Sequence, residues 1–512
     1  MRNQRVMTWG LSQALLYLCL GLFGTTVTHA TATLTYSTVF SFDLSKGSGG
    51  VVEANNTLFG TLSNTSLTYG GAIYKVSLDG GVPQTIFQFS STDGYSPIAG
   101  LLVGADGHLY GSTMYGARST VFSLSDGGGT LFRVSQDGTD YQTLHRFDSN
   151  ITNIAVITGG VVATNSLNAD GLYPSFPLIE DSGSGYLYGV TNSGGVHGTG
   201  VVFRVKTNGT DFQVLHTFAA LATDGSSTEG AFPSGPLLLG HDGRLYGVTS
   251  HGGANLYSLT NKVDSTSTVV TKRGTGTVYS LNKDGSDFQT IFNFPALDDT
   301  LDADANTPDL VGRNDYGAFP SAGLVETSAG VLVGTTTDGG KPTDQSLGGL
   351  GTIYQLHTDG TYAGTTSLML LSFDMTTGYT PTGRLVLKNG RLYGINASGN
   401  GSVFSIQLDG TGFISEHEFS YAEGVSPSSG LALASNGDLV GVTAYGGACN
   451  SAYGSYGSAY RLSANGVMAS GYSNCTVYAT SSGGGAMSQG WLWGLTALLV
   501  VSLLRKRWLS VH

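Results

Sequence analysis

Charged residues, cysteine and tryptophan are scarce in this chain. Charged side chains make up only 11% of its 512 residues, and there are three cysteines and four tryptophans. No long helical pattern of apolar residues occurs, which argues against an α-helical protein. The sequence also lacks a Gly-x-Ser-x-Gly elbow, a His-Glu-x-x-His motif and a phosphate-binding loop. These absences exclude the hydrolases, zinc proteases and nucleotide-binding enzymes that depend on those motifs.

Glycine is abundant, and many of its 78 copies belong to an internal repeat. A version of the phrase Leu-Tyr-Gly-x-Thr recurs at intervals of 47 to 87 residues. Its seven copies begin at Leu58, Leu109, Leu187, Leu245, Leu332, Leu392 and Leu439. Repeats of this length are typical of arrays in which no single unit can bury its own core.

Each repeat contains four segments of strand length that are rich in β-branched and aromatic residues. In the unit that covers residues 232–294, the four segments are residues 232–239, 244–249, 276–281 and 287–294. Two of the three connections carry Asp-Gly, at Asp242-Gly243 and Asp284-Gly285, which favours two-residue hairpin turns. Four antiparallel strands per repeat in a radial array predict an all-β protein, a β-propeller.

The two ends of the repeat region complement each other. Residues 35–42 match the fourth segment of a repeat, whereas the last unit has segments at 427–433, 438–443 and 458–462 but no fourth one. The N-terminal strand is therefore expected to complete the last blade. This predicts a seven-bladed β-propeller of four-stranded antiparallel blades over residues 33–463. A linear β-solenoid is the alternative, and the displaced fourth segment disfavours it.

Both ends of the chain have the features of targeting segments. Residues 1–30 combine Arg2 and Arg5 with an apolar stretch and a small-residue cleavage site, as in a secretory signal peptide. Residues 464–481 are expected to be a linker. Residues 482–507 contain a Gly-rich motif, an apolar run and a basic tail, and their motif residues are Gly483, Gly484, Gly485, Arg505, Lys506 and Arg507.

This C-terminal triplet of features resembles the GlyGly-CTERM sorting signal of exported bacterial proteins. The resemblance implies cleavage by a membrane protease of the rhombosortase type, which would leave the protein at the cell surface or outside the cell. The basic tail is expected to stay on the cytoplasmic side of the membrane. A plain C-terminal transmembrane anchor is the alternative.

The region between the two ends is acidic and contains no tryptophan. Without the five basic residues of the ends, 18 basic residues remain against 35 acidic ones, a net charge of −17. This charge disfavours nucleic acid as a partner. Two cysteines remain in this region, Cys449 and Cys475, and export predicts a disulfide between them. Two free buried thiols are the alternative.

The repeats resemble the GloVer tandem repeat of exported bacterial proteins. The resemblance is carried by Gly-x-Leu-Tyr-Gly-x-Thr, by the Gly-Gly pairs that follow it, and by Gly-Thr-Val-Phe, Asp-Gly-Thr and Leu-His-x-Phe, the last of which is found at residues 144–147 and 215–218. It covers residues 36–463. The first, fifth and seventh units depart from it at the tyrosine of the phrase. The resemblance implies export and supplies no established activity or catalytic residue.

Long connections are expected at one end of the propeller only. The Asp-Gly and Asn-Gly turns fall at the opposite end from the long segments, which are expected to be irregular and are residues 114–129, 148–173, 250–275, 295–319 and 341–351. Long loops on a rigid scaffold commonly bind ligands, so the end that carries them is the expected binding face. Asp224, Glu229 and Asp315 are its candidate ligand-binding carboxylates. The alternative is that the loops are tolerated insertions without a role.

One of these loops is acidic. Asp302, Asp304 and Asn306 alternate along it in the way that oxygen ligands of Ca²⁺ do, so Ca²⁺ is the one cofactor considered. The glycine and glutamate that an EF-hand requires are missing, and a solvated acidic loop is the alternative. His145, His216 and His417 recur at one strand position and are expected to be structural.

These observations favour an exported, surface-associated binding or scaffolding propeller without catalysis. Its expected partners are an extracellular glycan or protein and the sorting protease at the membrane, and it is expected to be a monomer. The main alternative is a carbohydrate-active enzyme, a glycosidase or lyase, that uses carboxylates on the long-loop face. A purely structural envelope protein is the third possibility.

Overall fold

Blades of antiparallel strands follow one another along the chain in a computed structural model of the protein. The structure describes residues 34–42, 46–63, 70–90, 92–116, 127–147, 152–158, 161–262, 268–297, 313–341, 349–361, 369–447 and 456–464. The signal-peptide, linker and sorting-signal predictions lie outside these residues. The described part of the chain contains no helix that is long and apolar enough to cross a membrane.

The strands are numbered in chain order. The chain enters the ring at β1 (Thr35–Ser41). Blade 1 contains β2 (Lys46–Ala54), β3 (Thr57–Ser63), β4 (Ala72–Ser77) and β5 (Gln84–Gln88). Blade 2 contains β6 (Leu102–Val103), β7 (Leu109–Thr113), β8 (Thr130–Val134) and β9 (Gln142–Arg146). A hairpin follows, made of β10 (Thr152–Thr158) and β11 (Val161–Leu167). Blade 3 contains β12 (Ile179–Asp181), β13 (Tyr186–Thr191), β14 (Val201–Lys206) and β15 (Gln213–Thr217).

The remaining blades are built in the same way, and three of them have a first strand in two pieces. Blade 4 contains β16 (Ser227–Pro233), β17 (Leu238–Leu239), β18 (Leu245–Gly253), the inserted hairpin β19 (Leu256–Lys262) and β20 (Thr268–Gly274), β21 (Thr277–Leu281) and β22 (Gln289–Asn293). Blade 5 contains β23 (Asn314–Pro320), β24 (Val325–Ser328), β25 (Val331–Gly340), β26 (Thr352–His357) and β27 (Met369–Ser372). Blade 6 contains β28 (Pro381–Lys388), β29 (Arg391–Asn396), β30 (Ser402–Gln407) and β31 (Ile414–Glu418). Blade 7 contains β32 (Val425–Pro427), β33 (Ala432–Leu433), β34 (Leu439–Tyr445) and β35 (Ser458–Ser463).

The N-terminal strand closes the ring. β1 pairs antiparallel with β35, with Thr35 opposite Ser463 and Ser41 opposite Ser458, and it is the fourth strand of blade 7. Its Phe40 is buried and lies 5.4 Å, centroid to centroid, from the ring of Tyr74 in blade 1. The seven-bladed propeller and its closure by the N-terminal strand are thus confirmed.

The first strand of every blade lies next to the axis of the ring. Close contacts join the first strands of successive blades: β2 with β6, β12 with β17, β24 with β28, β28 with β33, and β33 with β2. Between blades 2 and 3, a Cβ built on Gly100 would lie 3.2 Å from Cγ of Pro177. Between blades 4 and 5, a Cβ on Gly323 would lie 2.7 Å from Cγ of Pro236. We call the space that these strands enclose the central channel.

The repeated Leu-Tyr-Gly phrase has a packing explanation. Its glycine lies on the second strand of a blade, directly opposite an aromatic residue of the third strand, as Gly111 lies opposite Phe132. In all seven blades a Cβ at this glycine would come within 3.0 Å of that aromatic ring. Only glycine leaves room for the ring to lie across the neighbouring strand, so the phrase and the Gly-Thr-Val-Phe motif form one unit.

The Asp-Gly turns have a different form from the predicted one. In the turn before β9, the Gly138 N–H donates to the Ser135 carbonyl at 2.8 Å, and the Ser135 N–H donates to the Thr139 carbonyl at 2.9 Å. Among loop residues 136–138 only Gly138 has a positive φ, of 90°, so the loop has three residues and ends in a glycine bulge rather than being a two-residue turn. Oδ1 of Asp137 accepts hydrogen bonds from both the N–H and the hydroxyl of Thr139.

Two of the long connections expected to be irregular contain regular hairpins. β10 and β11 pair over seven residues in the link between blades 2 and 3. β19 and β20 pair over seven residues between the second and third strands of blade 4. The expectation of irregular loops was therefore wrong for these two segments.

Candidate binding face

The two ends of the ring differ in construction. The turns between strands one and two and between strands three and four of each blade lie at one end, which we call the turn face. The connections between strands two and three and the links between blades lie at the other end, which we call the loop face. Both extra hairpins, β10–β11 and β19–β20, arise from loop-face connections. The unequal elaboration of the two ends agrees with the sequence analysis.

A recurring backbone geometry fixes the start of the first strand at the loop face in six of the seven blades. The residue before the proline has a φ between 54° and 61° in six blades, at Ser96, Tyr173, Phe232, Phe319, Thr380 and Ser426. This left-handed conformation is unusual for residues other than glycine and costs about 1–3 kcal/mol. It directs the backbone N–H toward the preceding blade: Tyr173 donates to the Gly128 carbonyl at 3.0 Å, and Phe232 donates to the Thr199 carbonyl at 2.9 Å.

Three of these six positions carry an aromatic side chain. Together with neighbouring aromatic residues and a histidine, these side chains form two clusters on the loop face. In the first, which we call the tyrosine cluster, Tyr115 stacks on Tyr95 at 5.4 Å and meets Tyr173 edge-on at 5.3 Å. All three tyrosines are half-buried, and burial raises the pKa of Tyr115 and of Tyr173. Half-buried rings of this kind offer flat apolar faces with polar edges.

The second cluster centres on His251. Its ring lies 5.6 Å from Phe232 and 5.7 Å from Phe319, and these three residues come from blades 4 and 5. Sequence reasoning missed both clusters because it had searched for charged and nucleophilic groups. The signal that could have revealed them is the aromatic residue directly before the proline of the repeat.

The recurring histidines of the fourth strands join adjacent blades. His145 stacks on Phe212 with ring centroids 3.5 Å apart, and its Nε2 lies 2.8 Å from Oδ2 of Asp170. His417 stacks in the same way on Tyr36 of β1, at 3.9 Å. Burial raises the pKa of Tyr36 to about 12. These contacts support the structural role expected for the histidines.

His216 belongs to the same series. It stacks on Phe288 at 3.7 Å, and its Nε2 lies 3.2 Å from Oε2 of Glu229. Burial lowers the pKa of His216, and the neighbouring Glu229 carboxylate opposes part of this effect. The imidazole therefore favours its neutral form more than it does in water.

The three candidate carboxylates lie on the loop face, and each is held by local contacts. Oε2 of Glu229 also accepts the Ala219 N–H at 3.1 Å. Asp224 accepts both the N–H and the hydroxyl of Ser226, at 3.0 and 2.6 Å. Asp315 forms an ion pair with Lys341. Asp224 and Glu229 are five positions apart before and within β16, whereas Asp315 lies on β23 of the next blade.

The other candidate residues lie outside the described part of the chain. These are the calcium candidates Asp302, Asp304 and Asn306, the cysteines Cys449 and Cys475, and the C-terminal motif residues Gly483, Gly484, Gly485, Arg505, Lys506 and Arg507. Within the described ranges, no group of three or more His, Cys, Asp or Glu side chains is placed to hold a metal ion.

Solved structures that resemble this chain have diverse functions. An oligogalacturonate lyase in complex with manganese is 9% identical, with a TM-score of 0.43 over 85% of this chain and 97% of that one. The β-propeller domain of the Trilobed protease from Pyrococcus furiosus is 8% identical, with a TM-score of 0.40 over 78% and 91%. A chain of a nidogen/laminin complex is 12% identical, with a TM-score of 0.35 over 70% and 90%. No activity is transferred from them.

The sequence comparisons concern the repeats themselves. The sequence has no significant match among curated proteins. Residues 273–498 match the family model described as the Gloeobacter/Verrucomicrobia repeat, which supports the assignment of the repeats in this chain to that repeat family.

Proposed function

We propose that the protein is a binding or scaffolding propeller that holds its ligand on the loop face and catalyses no reaction. The observation that carries this proposal is the tyrosine cluster of Tyr95, Tyr115 and Tyr173. These rings come from two interblade links and one loop, and the backbone of Tyr173 is fixed by a hydrogen bond to blade 2. A rigid, half-buried aromatic surface binds ligands that present a flat apolar face, so the proposed ligand class is a glycan.

The state of the carboxylates supports binding rather than catalysis. Glycosidases use a pair of carboxyl groups that flank the bond to be broken. Here Glu229 accepts a backbone N–H and faces His216, Asp224 closes a local turn, and Asp315 is paired with Lys341. Each group already has a structural partner, and no pair of them is assigned as acid and base.

A glycan array combined with a hydrolysis screen tests the proposal. The test variant is Tyr173→Ser, because serine occupies the equivalent position in two other blades and is compatible with the backbone there. The matched control is Tyr186→Ser on the turn face, where the Tyr186 ring packs under the Arg204 guanidinium group at 4.5 Å. Circular dichroism establishes that both variants are folded.

We expect saturable binding by the wild type and by Tyr186→Ser, loss of binding by Tyr173→Ser, and no release of reducing ends. Release of reducing ends by the wild type would instead favour the carbohydrate-active enzyme. Binding that is unaffected by Tyr173→Ser would reject the tyrosine cluster as the site. A protein that binds no glycan would contradict the proposed ligand class.

We also propose that the protein is exported and reaches the cell surface or the medium. The signal-like residues 1–30 and the C-terminal motif in residues 482–507 support this proposal. Mass spectrometry of protein recovered from the native cells tests it. We expect mature molecules that lack residues 491–512. A C-terminal peptide containing Trp493 in most molecules would indicate a permanent anchor instead of a sorting step.

A further inference from the structure

At one position of the first strands, which lie next to the axis of the ring, one blade differs from the other six. In blade 2 this position is Gly100, two residues before the first residue of β6. The equivalent residues of blades 1 to 7, in order, are Gly50, Gly100, Pro177, Pro236, Gly323, Arg384 and Gly430. Six of the seven residues have no long side chain, and blade 6 alone has an arginine. The small residues let the first strands of adjacent blades approach closely, since a Cβ on Gly100 would lie 2.5 Å from the Gly49 carbonyl oxygen and a Cβ on Gly50 would lie 3.0 Å from Oγ of Ser429. Arg384 alone brings a guanidinium group to this level of the first strands.

The Arg384 side chain is exposed to solvent and is also surrounded by protein. A Cβ built on Gly430 of blade 7 would lie 3.2 Å from the Arg384 backbone nitrogen, so the two inner segments are in contact at the axis. The Arg384 side chain is solvent-exposed, and yet desolvation by the surrounding protein lowers its pKa. A side chain that is accessible to solvent and also surrounded by protein is expected in a concave part of the surface, and β28 places this one beside the central channel.

Arg384 has no counter-ion among the residues that the structure describes. Desolvation is the sole cause of its lowered pKa, and no carboxylate acts on it there. A guanidinium group that is surrounded by protein and has no counter-ion there is available to an anionic ligand. Two hydroxyl groups on the adjoining segments, those of Thr382 and Ser429, are also enclosed and have no hydrogen-bond partner in the described part of the chain.

Glutamates at the turn-face end of three first strands bind the adjacent blade. Glu180 accepts the Ala105 N–H at 2.8 Å, and the equivalent Glu326 accepts the His241 N–H at 2.9 Å, so each glutamate binds the turn of the preceding blade. Glu53 does the same with Ser435 at 2.8 Å. These three contacts tie the first strand of one blade to the turn of the preceding blade.

We propose that Arg384 forms a binding site for a single oxyanion group, a carboxylate or a phosphate, beside the central channel. The planar guanidinium group binds either group through two parallel hydrogen bonds. The net charge of −17 over the propeller and its flanking segments opposes a polyanion, so the ligand carries one such group on an otherwise neutral body. The site does not depend on the proposed glycan binding by the tyrosine cluster.

Thermal unfolding of the full chain with defined anions tests this site. The probes are sodium phosphate and sodium D-glucuronate, with D-glucose as the neutral analogue and sodium chloride at matched ionic strength. The variant is Arg384→Gly, since glycine is the residue at this position in four other blades. The control is Arg146→Gln, which removes an equal charge from an arginine that hydrogen-bonds Thr143 near the loop face.

Ligand that binds only the folded state raises the melting temperature in proportion to ln(1 + [L]/Kd). We expect phosphate, glucuronate or both to raise the melting temperature of the wild type and of Arg146→Gln beyond the effect of sodium chloride. Arg384→Gly should show no such increase, and glucose should have no effect on any of the three proteins. Response to phosphate alone or to glucuronate alone identifies which oxyanion the channel accepts.

Two results would overturn the proposal. One is an equal response of the wild type and Arg384→Gly to both anions, which would place any anion binding elsewhere. The other is the absence of a response of the wild type to either anion. Loss of glycan binding in Tyr173→Ser with an intact anion response would show that the two sites are separate.

Discussion

Replacing Gly111 with alanine should destabilise the propeller, although the change adds a single methyl group. The added Cβ would lie 2.6 Å from Cζ of Phe132 and 2.9 Å from Cδ2 of Leu101. Nonbonded carbon atoms prefer separations of about 3.5–4.0 Å, so one of these groups must move by about 1 Å. The Phe132 ring is completely buried and lies 5.0 Å from the Phe89 ring, which leaves it no free space.

Overpacking of this kind costs about 1–3 kcal/mol, and we expect Gly111→Ala to fall in that range. Gly183→Ala is the matched control. Its added Cβ would meet only Oδ1 of Asp181, at 3.5 Å, and the backbone of Gly183 does not have a positive φ. This substitution should be neutral or should stabilise the protein by up to about 1 kcal/mol, because it restricts the unfolded chain.

Urea unfolding followed by tyrosine fluorescence and circular dichroism measures both effects. A second variant, Phe132→Leu, shortens the opposing side chain, so the cost of Gly111→Ala should be smaller in that background. Equal unfolding midpoints for Gly111→Ala and the wild type would refute the packing explanation of the Leu-Tyr-Gly phrase. An unchanged cost in the Phe132→Leu background would place the strain elsewhere.

Three further predictions concern protonation, buried hydroxyls and the cysteines. Because burial lowers the pKa of His216 in the folded state, the unfolded state binds more protons below pH 6.5, and stability should fall as the pH decreases through this region. His216→Phe should flatten that part of the pH dependence of the urea midpoint, and an unchanged profile would contradict the assignment. Tyr354→Phe should leave stability unchanged or raise it by about 1 kcal/mol in thermal unfolding, because the buried Tyr354 hydroxyl has no hydrogen-bond partner among the described residues; a loss of more than about 1 kcal/mol would indicate a partner. Cys449 and Cys475 should form a disulfide in the exported protein, and two labelled thiols after non-reducing alkylation, read by intact mass, would reject it.

The fold could be predicted from the sequence because its determinants are local and repeated. Each Leu-Tyr-Gly phrase marks a second strand, and its glycine must lie opposite an aromatic residue of the third strand. The blade number follows from counting these phrases. The closure by β1 could be predicted because residues 35–42 have the pattern of a fourth strand, and no first, second or third strand of a blade precedes them in the sequence.

The candidate site could be predicted only as an end of the ring. Loop lengths indicate the loop face, but they do not reveal the β19–β20 hairpin, because residues 256–262 do not alternate between apolar and polar side chains. The tyrosine cluster depends on contacts between residues that lie far apart in the sequence, such as Tyr115 and Tyr173 of two adjacent blades. Arg384 stands out only when the inner strands of all seven blades are aligned.

Closure of the ring by β1 determines which strands line the central channel and which loops share one face, and one deletion tests it most directly. Removal of residues 33–42 takes away the fourth strand of blade 7, including Phe40 and Phe42, and exposes the hydrogen-bonding edge of β35. Thermal unfolding and analytical ultracentrifugation of the deleted and full chains should show a lower melting temperature and self-association of the deleted form. A synthetic peptide of residues 34–42 should restore the melting temperature. A deleted protein that remains monomeric and keeps the full melting temperature would contradict the closed seven-bladed ring.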